Sequence, residues 1–427
     1  MTTVSPHSPH QDSTERAAHG APTRRAVVLP ERRTAFLANA RVEAQRRGIF
    51  DTLVVDVDSH HYEQSCYREV AKYIDNPNVK RIFDTYTLGA IQTSILPGNL
   101  GDRNVAGRIR SEQIEDWEYP TPPEGVHTVA WTMLESMRAM GIDYTILFPT
   151  PMLVLGVTPQ SDLEVELARA YNRWLTREVL PHSPAIKSML YLPLSNPEAC
   201  VEFIEEFGDD PGVIGFLVTC VRYQPIWENR FMKVFAALNE RGLPLAFHSA
   251  PHWGDRPFEQ LNSFLGVHAL GFPFYAMIQM TNIMLNGLPE RFPDLRYIFI
   301  EAGIAWLPFM IARFDNEYLM RMSEAPLLTK TPGDYIRDFY FSSQPLERIE
   351  NPKWMGTILE MINAENRLLY SSDYPHQDFD LPSAIWDLPG LSEQARRNIL
   401  GHNAAGLFNL PDIKLQDRPN FGLATRP

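Results

Sequence analysis

Eight short apolar segments recur along the chain and alternate with helix-like segments, and this rhythm constrains the fold more than any other feature. Most of the eight are continuous apolar runs, which is typical of parallel strands buried on both faces. The predicted strands are Thr52–Val57, Tyr144–Pro149, Ile186–Leu192, Val213–Thr219, Leu243–His248, Arg296–Glu301, Asp338–Ser342 and Arg367–Ser371. The predicted helices between them are Val126–Met140, Leu163–Val179, Asn196–Phe207, Arg230–Arg241, Tyr275–Leu288 and Ala305–Tyr318. Eight such units predict an α/β fold, a closed parallel (β/α)8 TIM barrel.

The barrel is predicted to span residues 50–410, with extensions at both ends. Residues 1–30 are polar and contain Pro and Ser, so we expect a disordered N-terminal arm, followed by a helical extension over 31–49. The stretch 66–125 is too long for one connection, and we interpret it as an insertion after strand 1 that caps the barrel mouth or elaborates the surface. Residues 411–427 have no clear period and are expected to form a C-terminal tail.

Charge and cysteine content narrow the range of partners. The chain has 39 Lys and Arg against 52 Asp and Glu, a formal net charge of −13, which argues against nucleic acid or an anionic membrane as the main partner. No apolar stretch approaches the roughly 20 residues of a membrane span. The three cysteines form no CxxC pair, a usage typical of the reducing cytoplasm. A small-molecule substrate is the partner that remains.

Titratable side chains follow the ends of several predicted strands. Asp58 and His60 come after strand 1, and His248, Glu301 and Asp373 end or follow strands 5, 6 and 8. Because the carboxyl ends of barrel strands meet at one mouth, we expect these side chains to converge. The two-residue spacing of Asp58 and His60 puts both on one face of an extended chain. Together these carboxylates and imidazoles predict a divalent-metal site, although any one of them alone is as well explained by a structural hydrogen bond.

Individual roles are predicted for this set and for its neighbours. Asp373 is expected to be both a ligand and a general base, and Glu301 a ligand or a proton carrier. Four further candidates are Glu63 as an additional ligand, His252 as a catalytic residue, and His376 and Arg313 as groups that contact substrate or orient a ligand. For Glu63 the alternative is a salt bridge away from the ion, and for His252, His376 and Arg313 it is structural hydrogen bonding.

The runs DVDSHHYE, FHSAPH, RFPDLRYIFIEAGIAWLP, SSDYPH and ILGHNAAGLFNL resemble a known family. They are similar to the amidohydrolase-related branch of the amidohydrolase superfamily, which includes aminocarboxymuconate-semialdehyde decarboxylase, and the similarity extends from about Thr52 to Leu410. The resemblance implies a TIM barrel with a metal in its mouth, held by Asp58, His60, His248 and Asp373. Two positions depart from the decarboxylases: they often have His or Glu in place of Asp58, and that decarboxylase has a proton-moving histidine in place of Glu301.

Three functional hypotheses follow. The first is a hydrolase or non-oxidative decarboxylase that uses Zn²⁺ or Mn²⁺ on a small carboxylate or amide. The second, suggested by the many carboxylates and by relatives such as aminoisobutyrate hydroxylase, is an oxygenase with an Fe/Mn pair. The third is a non-catalytic, metal-holding subunit of a hetero-oligomer. The resemblance also leads us to expect a homo- or hetero-oligomer.

Overall fold

Eight parallel strands form one sheet with neighbours in chain order, from β1 to β8. The structure, a computed structural model, describes residues 33–87, 121–221, 224–250, 254–376 and 378–424. The strands are β1 Val55–His61, β2 Tyr144–Pro149, β3 Ile186–Tyr191, β4 Val213–Thr219, β5 Leu245–His248, β6 Tyr297–Ile300, β7 Tyr340–Ser342 and β8 Leu368–Leu369. The predicted (β/α)8 barrel is confirmed.

Backbone hydrogen bonds between β1 and the segment that follows β8 close the barrel. The amide of Val57 donates to the Tyr370 carbonyl oxygen at 3.0 Å, and the amide of His60 donates to that of Tyr374 at 2.7 Å. In the other direction, the amide of Asp373 donates to the Asp58 carbonyl oxygen at 2.7 Å. These bonds leave no open sheet edge here, and they tie together two segments that carry predicted ligands.

The longer helices surround the sheet. They are α1 Arg33–Arg46, α2 Thr128–Met140, α3 Ser161–Trp174, α4 Pro197–Phe207, α5 Met232–Arg241, α6 Phe264–Leu285, α7 Leu307–Arg321 and α8 Pro352–Met361. Short helical segments at Glu393–Arg397 and Asn403–Phe408 follow β8. Asn196 is the N-cap of α4, and its side chain accepts a hydrogen bond from the Ala199 amide, an arrangement typical of an Asn-Pro helix start.

Two predicted boundaries were wrong for identifiable reasons. The first strand runs to His61 rather than ending at Val57, because Ser59 and His60 pair in register with Leu147 and Phe148 of β2. Its polar half faces a functional mouth and so lacks the apolar pattern of a buried strand. Helix α6 begins at Phe264, capped by the Ser263 side chain, rather than at the predicted Tyr275, and it includes Pro273.

Some predictions fall partly outside the described residues. The arm over 1–30 and much of the 66–125 insertion lie there, while the described part of that insertion contains the short helices Tyr67–Val70 and Pro77–Ile82. None of the helices in the described part of the chain combines the length and the apolar character needed to cross a membrane.

Two glycines near the C-terminus test the packing against β1. A Cβ on Gly401 would lie 2.2 Å from the Leu53 carbonyl oxygen, whereas a Cβ on Gly406 would meet nothing within 4 Å. We expect Gly401→Ala to lower the free energy of unfolding by about 1–3 kcal/mol through overpacking. Gly406→Ala, in the helix Asn403–Phe408, should be neutral or stabilising by up to about 1 kcal/mol. Thermal unfolding of both variants checks this, and equal midpoints would contradict the packing described.

Candidate metal centre

The barrel brings the side chains predicted from four strands to one mouth. Asp58 and His60 lie on β1, His248 is the last residue of β5, and Glu301 and Asp373 lie just after β6 and β8. Four of the five are completely buried and Glu301 is 5% exposed. Charged side chains are rarely so buried unless they are paired or bind a metal.

A backbone carbonyl sets the tautomer of His60. Its Nδ1 lies 2.9 Å from the Pro149 carbonyl oxygen, which only accepts, so Nδ1 carries a proton and donates it. In the neutral ring the lone pair is therefore on Nε2, which lies 3.1 Å from Asp58 Oδ1 and 3.3 Å from Asp373 Oδ1. An imidazole lone pair facing two carboxylates is an arrangement that requires a cation.

His248 is oriented in the same way from the opposite side of the barrel. Its Nδ1 donates to the Ser249 carbonyl oxygen at 2.7 Å, and its Nε2 lies 3.2 Å from Asp58 Oδ1. The ligand atoms of Asp58, His60 and His248 all lie within 4.8 Å of one another. A single divalent ion can therefore reach all three side chains.

Several atoms of this cluster have no hydrogen-bond donor. Among the residues that the structure describes, Asp58 Oδ2, His60 Nε2 and Asp373 Oδ2 are buried and have no hydrogen-bond partner. The contacts of His60 with the two carboxylates lie within ion-pair distance but not in hydrogen-bond geometry. Buried acceptors without donors are costly, and a metal ion would satisfy all three, so the residues present fit a divalent cation.

The pKa shifts of the cluster also indicate that it favours a cation. Burial alone would lower the pKa of His60, but Asp58 and Asp373 raise it to about 10. Burial opposes ionisation of Asp58, yet His248 and His60 hold the pKa of that carboxyl below its usual range. Both effects show that positive charge is stabilised at the centre of the cluster.

Glu301 and Asp373 share an unusual backbone conformation. Their φ angles are 59° and 60°, in the left-handed region that side chains other than Gly seldom adopt. Such conformations are concentrated at functional sites, where the surrounding structure holds them. Glu301 Oε2 lies 3.5 Å from His248 Nδ1. Burial, with Asp373 and Asp58 nearby, raises the pKa of Glu301 well above its usual value, so this carboxyl is suited to hold a proton.

His376 lies beside Asp373, as expected for a group that orients a ligand. Its Nδ1 is 2.7 Å from Asp373 Oδ1, its Nε2 is 3.2 Å from Thr150 Oγ1, and its ring stacks on His60 with centroids 4.2 Å apart. Burial opposes ionisation of Asp373, but His376 and His60 lower the pKa of that carboxyl. The ligand atoms of His60, Asp373 and His376 form a second group within 4.8 Å that overlaps the first at His60.

Three other predicted site residues have different outcomes. Both carboxylate oxygens of Glu63 accept backbone hydrogen bonds, from Met152 at 2.6 Å and Thr150 at 2.9 Å, so the geometry gives Glu63 a structural role instead of the predicted ligand role. The Arg313 side chain is 58% exposed on α7 and pairs with Glu317, so the structure does not bring it to the cluster. His252 lies outside the described residues.

The sequence reasoning missed Asp56, Thr150 and Asp378. The buried Asp56 carboxylate accepts hydrogen bonds from the amide and hydroxyl of Ser372, at 2.7 and 2.6 Å, and thereby links β1 to the segment after β8. Its signal was available, because Asp56 is a charged residue inside the apolar run predicted as the first strand, and buried charges are normally paired. Thr150 follows β2 just as Asp373 follows β8. The charge of Asp378, which contributes to raising the pKa of Glu301, has no comparable sequence signal.

A third group of potential ligands, Cys66, Glu69 and His127, is explained by hydrogen bonds. Nδ1 of His127 accepts from the Val129 amide at 3.2 Å, so its Nε2 carries the proton and donates to Glu69 at 2.9 Å. The Trp174 indole N–H donates to the same carboxylate at 3.0 Å. This arrangement leaves no imidazole lone pair for a metal.

Removing one candidate ligand should release the metal. We expect His248→Ala and Asp373→Ala to weaken metal binding by at least about 10- to 100-fold, since even changes in groups that only orient ligands cost that much. Elemental analysis of the purified proteins measures this, with His402→Ala, an exposed histidine, as control. Full occupancy in both variants would show that the ion is held elsewhere.

Glu63→Gln should separate stability from metal binding. The variant keeps one carbonyl acceptor and loses the other, which leaves a buried backbone N–H without a partner and costs about 1–3 kcal/mol. We expect a lower unfolding midpoint with unchanged metal content. A folded variant that has lost its metal would instead make Glu63 a ligand.

The comparisons with known proteins agree on the family to which this chain is similar. The family model described as Amidohydrolase matches residues 124–410. A gamma-resorcylate decarboxylase from Rhizobium sp. is 25% identical over 303 residues, which cover 65% of this chain and 86% of that protein. A second, from Polaromonas sp., is 23% identical over 277 residues, covering 57% and 77%.

A solved structure shares the fold. It is a dihydroxybenzoic acid decarboxylase from Polaromonas sp. with bound manganese and the inhibitor 2-nitroresorcinol, with a TM-score of 0.59 at 17% identity, covering 84% of this chain and 97% of that one. The hypothesis of a non-catalytic subunit finds no support in these enzymes. The matched region, which includes His248, Glu301 and Asp373, shows that the chain is an enzyme that belongs to the amidohydrolase family.

Proposed function

We propose that this protein is a metal-dependent, non-oxidative decarboxylase of a small aromatic carboxylate. The observation that carries the proposal is the set of buried acceptors on Asp58, His60 and Asp373 at the barrel mouth, which have no hydrogen-bond partner among the described residues. The curated relatives named above, both gamma-resorcylate decarboxylases, support the reaction class.

Asp58, His60, His248 and Asp373 would hold the ion. Two carboxylates and two imidazoles suit Mn²⁺ or Zn²⁺, and the manganese in the similar Polaromonas structure makes Mn²⁺ the first choice. A bound divalent cation supplies Lewis acidity and a fixed positive charge for an anionic substrate group. The carbonyls of Pro149 and Ser249 keep both Nδ1 protons in place, so the two imidazoles present Nε2 to the ion.

Glu301 would deliver the proton that replaces the carboxyl group. In a non-oxidative decarboxylation the carbon–carbon bond breaks, carbon dioxide leaves, and the carbon that bore it takes up one proton. The buried Glu301 carboxyl lies beside His248 and can hold that proton on a side-chain oxygen. Asp373 accepts from His376 Nδ1 and stays anionic as a ligand, so the two carboxylates would have different roles.

An aromatic side chain supports an apolar substrate. Phe148, at the end of β2, packs against both imidazoles, with ring centroids 5.1 Å from His248 and 6.1 Å from His60. A flat ring beside the candidate metal centre favours an aromatic substrate body and excludes water from the reacting carbon.

Carbon dioxide release from gamma-resorcylate, followed with protein loaded with Mn²⁺ or Zn²⁺, tests the proposal. We expect activity that needs the metal and falls by about 100- to 10,000-fold in Glu301→Gln, which keeps the shape but cannot donate the proton. Glu228→Gln, a surface glutamate that pairs with Arg230, is the matched control. Metal-loaded protein that releases no carbon dioxide from this or other hydroxybenzoates would contradict the proposal.

A dinuclear oxygenase is the second candidate, and the overlap of the two ligand groups at His60 favours it. With Glu301 included, six potential ligands surround the mouth, enough for an Fe/Mn pair. However, Nε2 of His60 can bind only one ion, and His376 Nδ1 is already bonded to Asp373, which favours a single metal. Two ions per chain including iron, with oxygen uptake, would support the oxygenase.

A further inference from the structure

A second cavity lies at the end of the barrel opposite the metal centre. Its volume is about 480 Å³, and its walls include Tyr297 at the start of β6, Tyr340 at the start of β7 and Arg367 just before β8. Strand starts face away from the mouth, and Glu301 lies about 13 Å further along β6 at roughly 3.3 Å per residue. The volume is within the roughly 300–1,000 Å³ range of small-molecule sites.

Two buried polar atoms at this cavity are unpaired. The Tyr297 side chain is 2% exposed, and its hydroxyl has no hydrogen-bond partner within the part of the chain that the structure describes. The buried Nε of Arg367 likewise has none there, although its Nη1 donates to the Tyr340 hydroxyl at 3.3 Å. Tyr297 and Arg367 both line the cavity, and a buried O–H and a buried charged N–H on such residues are suited to a ligand that offers acceptors.

The charges around the cavity favour an anion. Arg296, Lys330 and Arg367 face two carboxylates, Glu290 and Asp338, which leaves a local net charge of +1 in a chain of net charge −13. Both carboxylates are already engaged, Glu290 by the hydroxyls of Tyr335 and Thr329, and Asp338 by Lys330.

Among the three cationic side chains, Lys330 and Arg367 pair with Asp338, Arg367 at 3.9 Å, whereas Arg296 has a neutral acceptor. Nη1 of Arg296 donates to the Pro293 carbonyl oxygen at 2.7 Å, an acceptor without formal charge. Phe339 and Leu295, each 3% exposed, add an apolar wall that a bare inorganic ion would leave uncovered.

We propose that this cavity binds a small organic carboxylate. The carboxylate oxygens accept from the Tyr297 hydroxyl and from Nε of Arg367, and the apolar part of the ligand packs against Phe339 and Leu295. A carboxylate only accepts hydrogen bonds and makes its strongest ones with charged donors, which matches the two unpaired groups. The site is separate from the metal centre and does not depend on the reaction catalysed there.

Titration calorimetry of the full-length, metal-loaded protein tests this site, with benzoate as the probe and benzyl alcohol as its uncharged counterpart. We expect Tyr297→Phe and Arg367→Lys each to weaken benzoate binding by about 10- to 100-fold through loss of a hydrogen bond to a charged group. Tyr73→Phe, whose hydroxyl is bonded to Glu178, is the matched control and should bind like the wild type. Benzyl alcohol should bind far more weakly than benzoate.

Two further readouts separate this site from the mouth and from a structural role. Metal content should be equal in all these proteins, so that benzoate bound at the metal centre contributes equally to each titration. Because the Tyr297 hydroxyl is unpaired, Tyr297→Phe should not lower the unfolding midpoint of the ligand-free protein. A crystal grown with benzoate should show it beside Tyr297. Equal benzoate affinity in wild type and both cavity variants, or a lower midpoint for Tyr297→Phe with binding unchanged, would overturn the proposal.

Discussion

The structure depends on a cluster of negative charge and lone pairs at the barrel mouth that the neighbouring groups do not neutralise. Two buried carboxylates and two imidazole lone pairs face one another, and the backbone carbonyls of Pro149 and Ser249 hold both Nδ1 protons on the far sides of the rings. The neutral rings therefore cannot neutralise Asp58 and Asp373 by turning a proton inward. Uncompensated buried charge costs several kcal/mol per ion, so positive charge stabilises the mouth, either a metal ion at its centre or the second proton that Asp58 and Asp373 favour on His60.

The same requirement explains the polar groups around the cluster. Asp56 binds the amide and hydroxyl of Ser372, Thr150 bonds to His376, and Glu63 binds two amides at the end of β2. None of these contacts the ion in our proposal, yet each fixes a segment that carries or orients a candidate ligand. A metal site needs this second set of bonds, because ligands that move by an ångström lose both affinity and selectivity.

The barrel and the positions of the five central residues could be predicted from the sequence because both follow from local rules. Continuous apolar runs mark buried parallel strands, and polar residues after them must meet at the mouth. The roles of Glu63 and Arg313 could not be predicted in that way. Whether a carboxylate three residues after His60 faces an ion or two amides depends on where the β2 loop lies, which is a tertiary fact. Arg313 lies on a helix, and its spacing does not reveal which face meets the barrel.

The second half of β1 was missed in the sequence because its residues are polar. Residues needed for function can replace the apolar pattern by which a buried strand is recognised.

Strand β6 links the two polar features of the molecule. Just after its carboxyl end Glu301 adopts a left-handed conformation that costs about 1–3 kcal/mol, and at its amino end Tyr297 buries a hydroxyl that has no hydrogen-bond partner among the described residues. Strain at the mouth fits our proposal that catalysis occurs there. The opposite face of a TIM barrel normally serves stability, and a residue that served stability alone would be Phe rather than Tyr, since Phe fills nearly the same space without a polar group to satisfy. A ligand bound at this end of the barrel would give the hydroxyl an acceptor, which is the physical basis for our proposal.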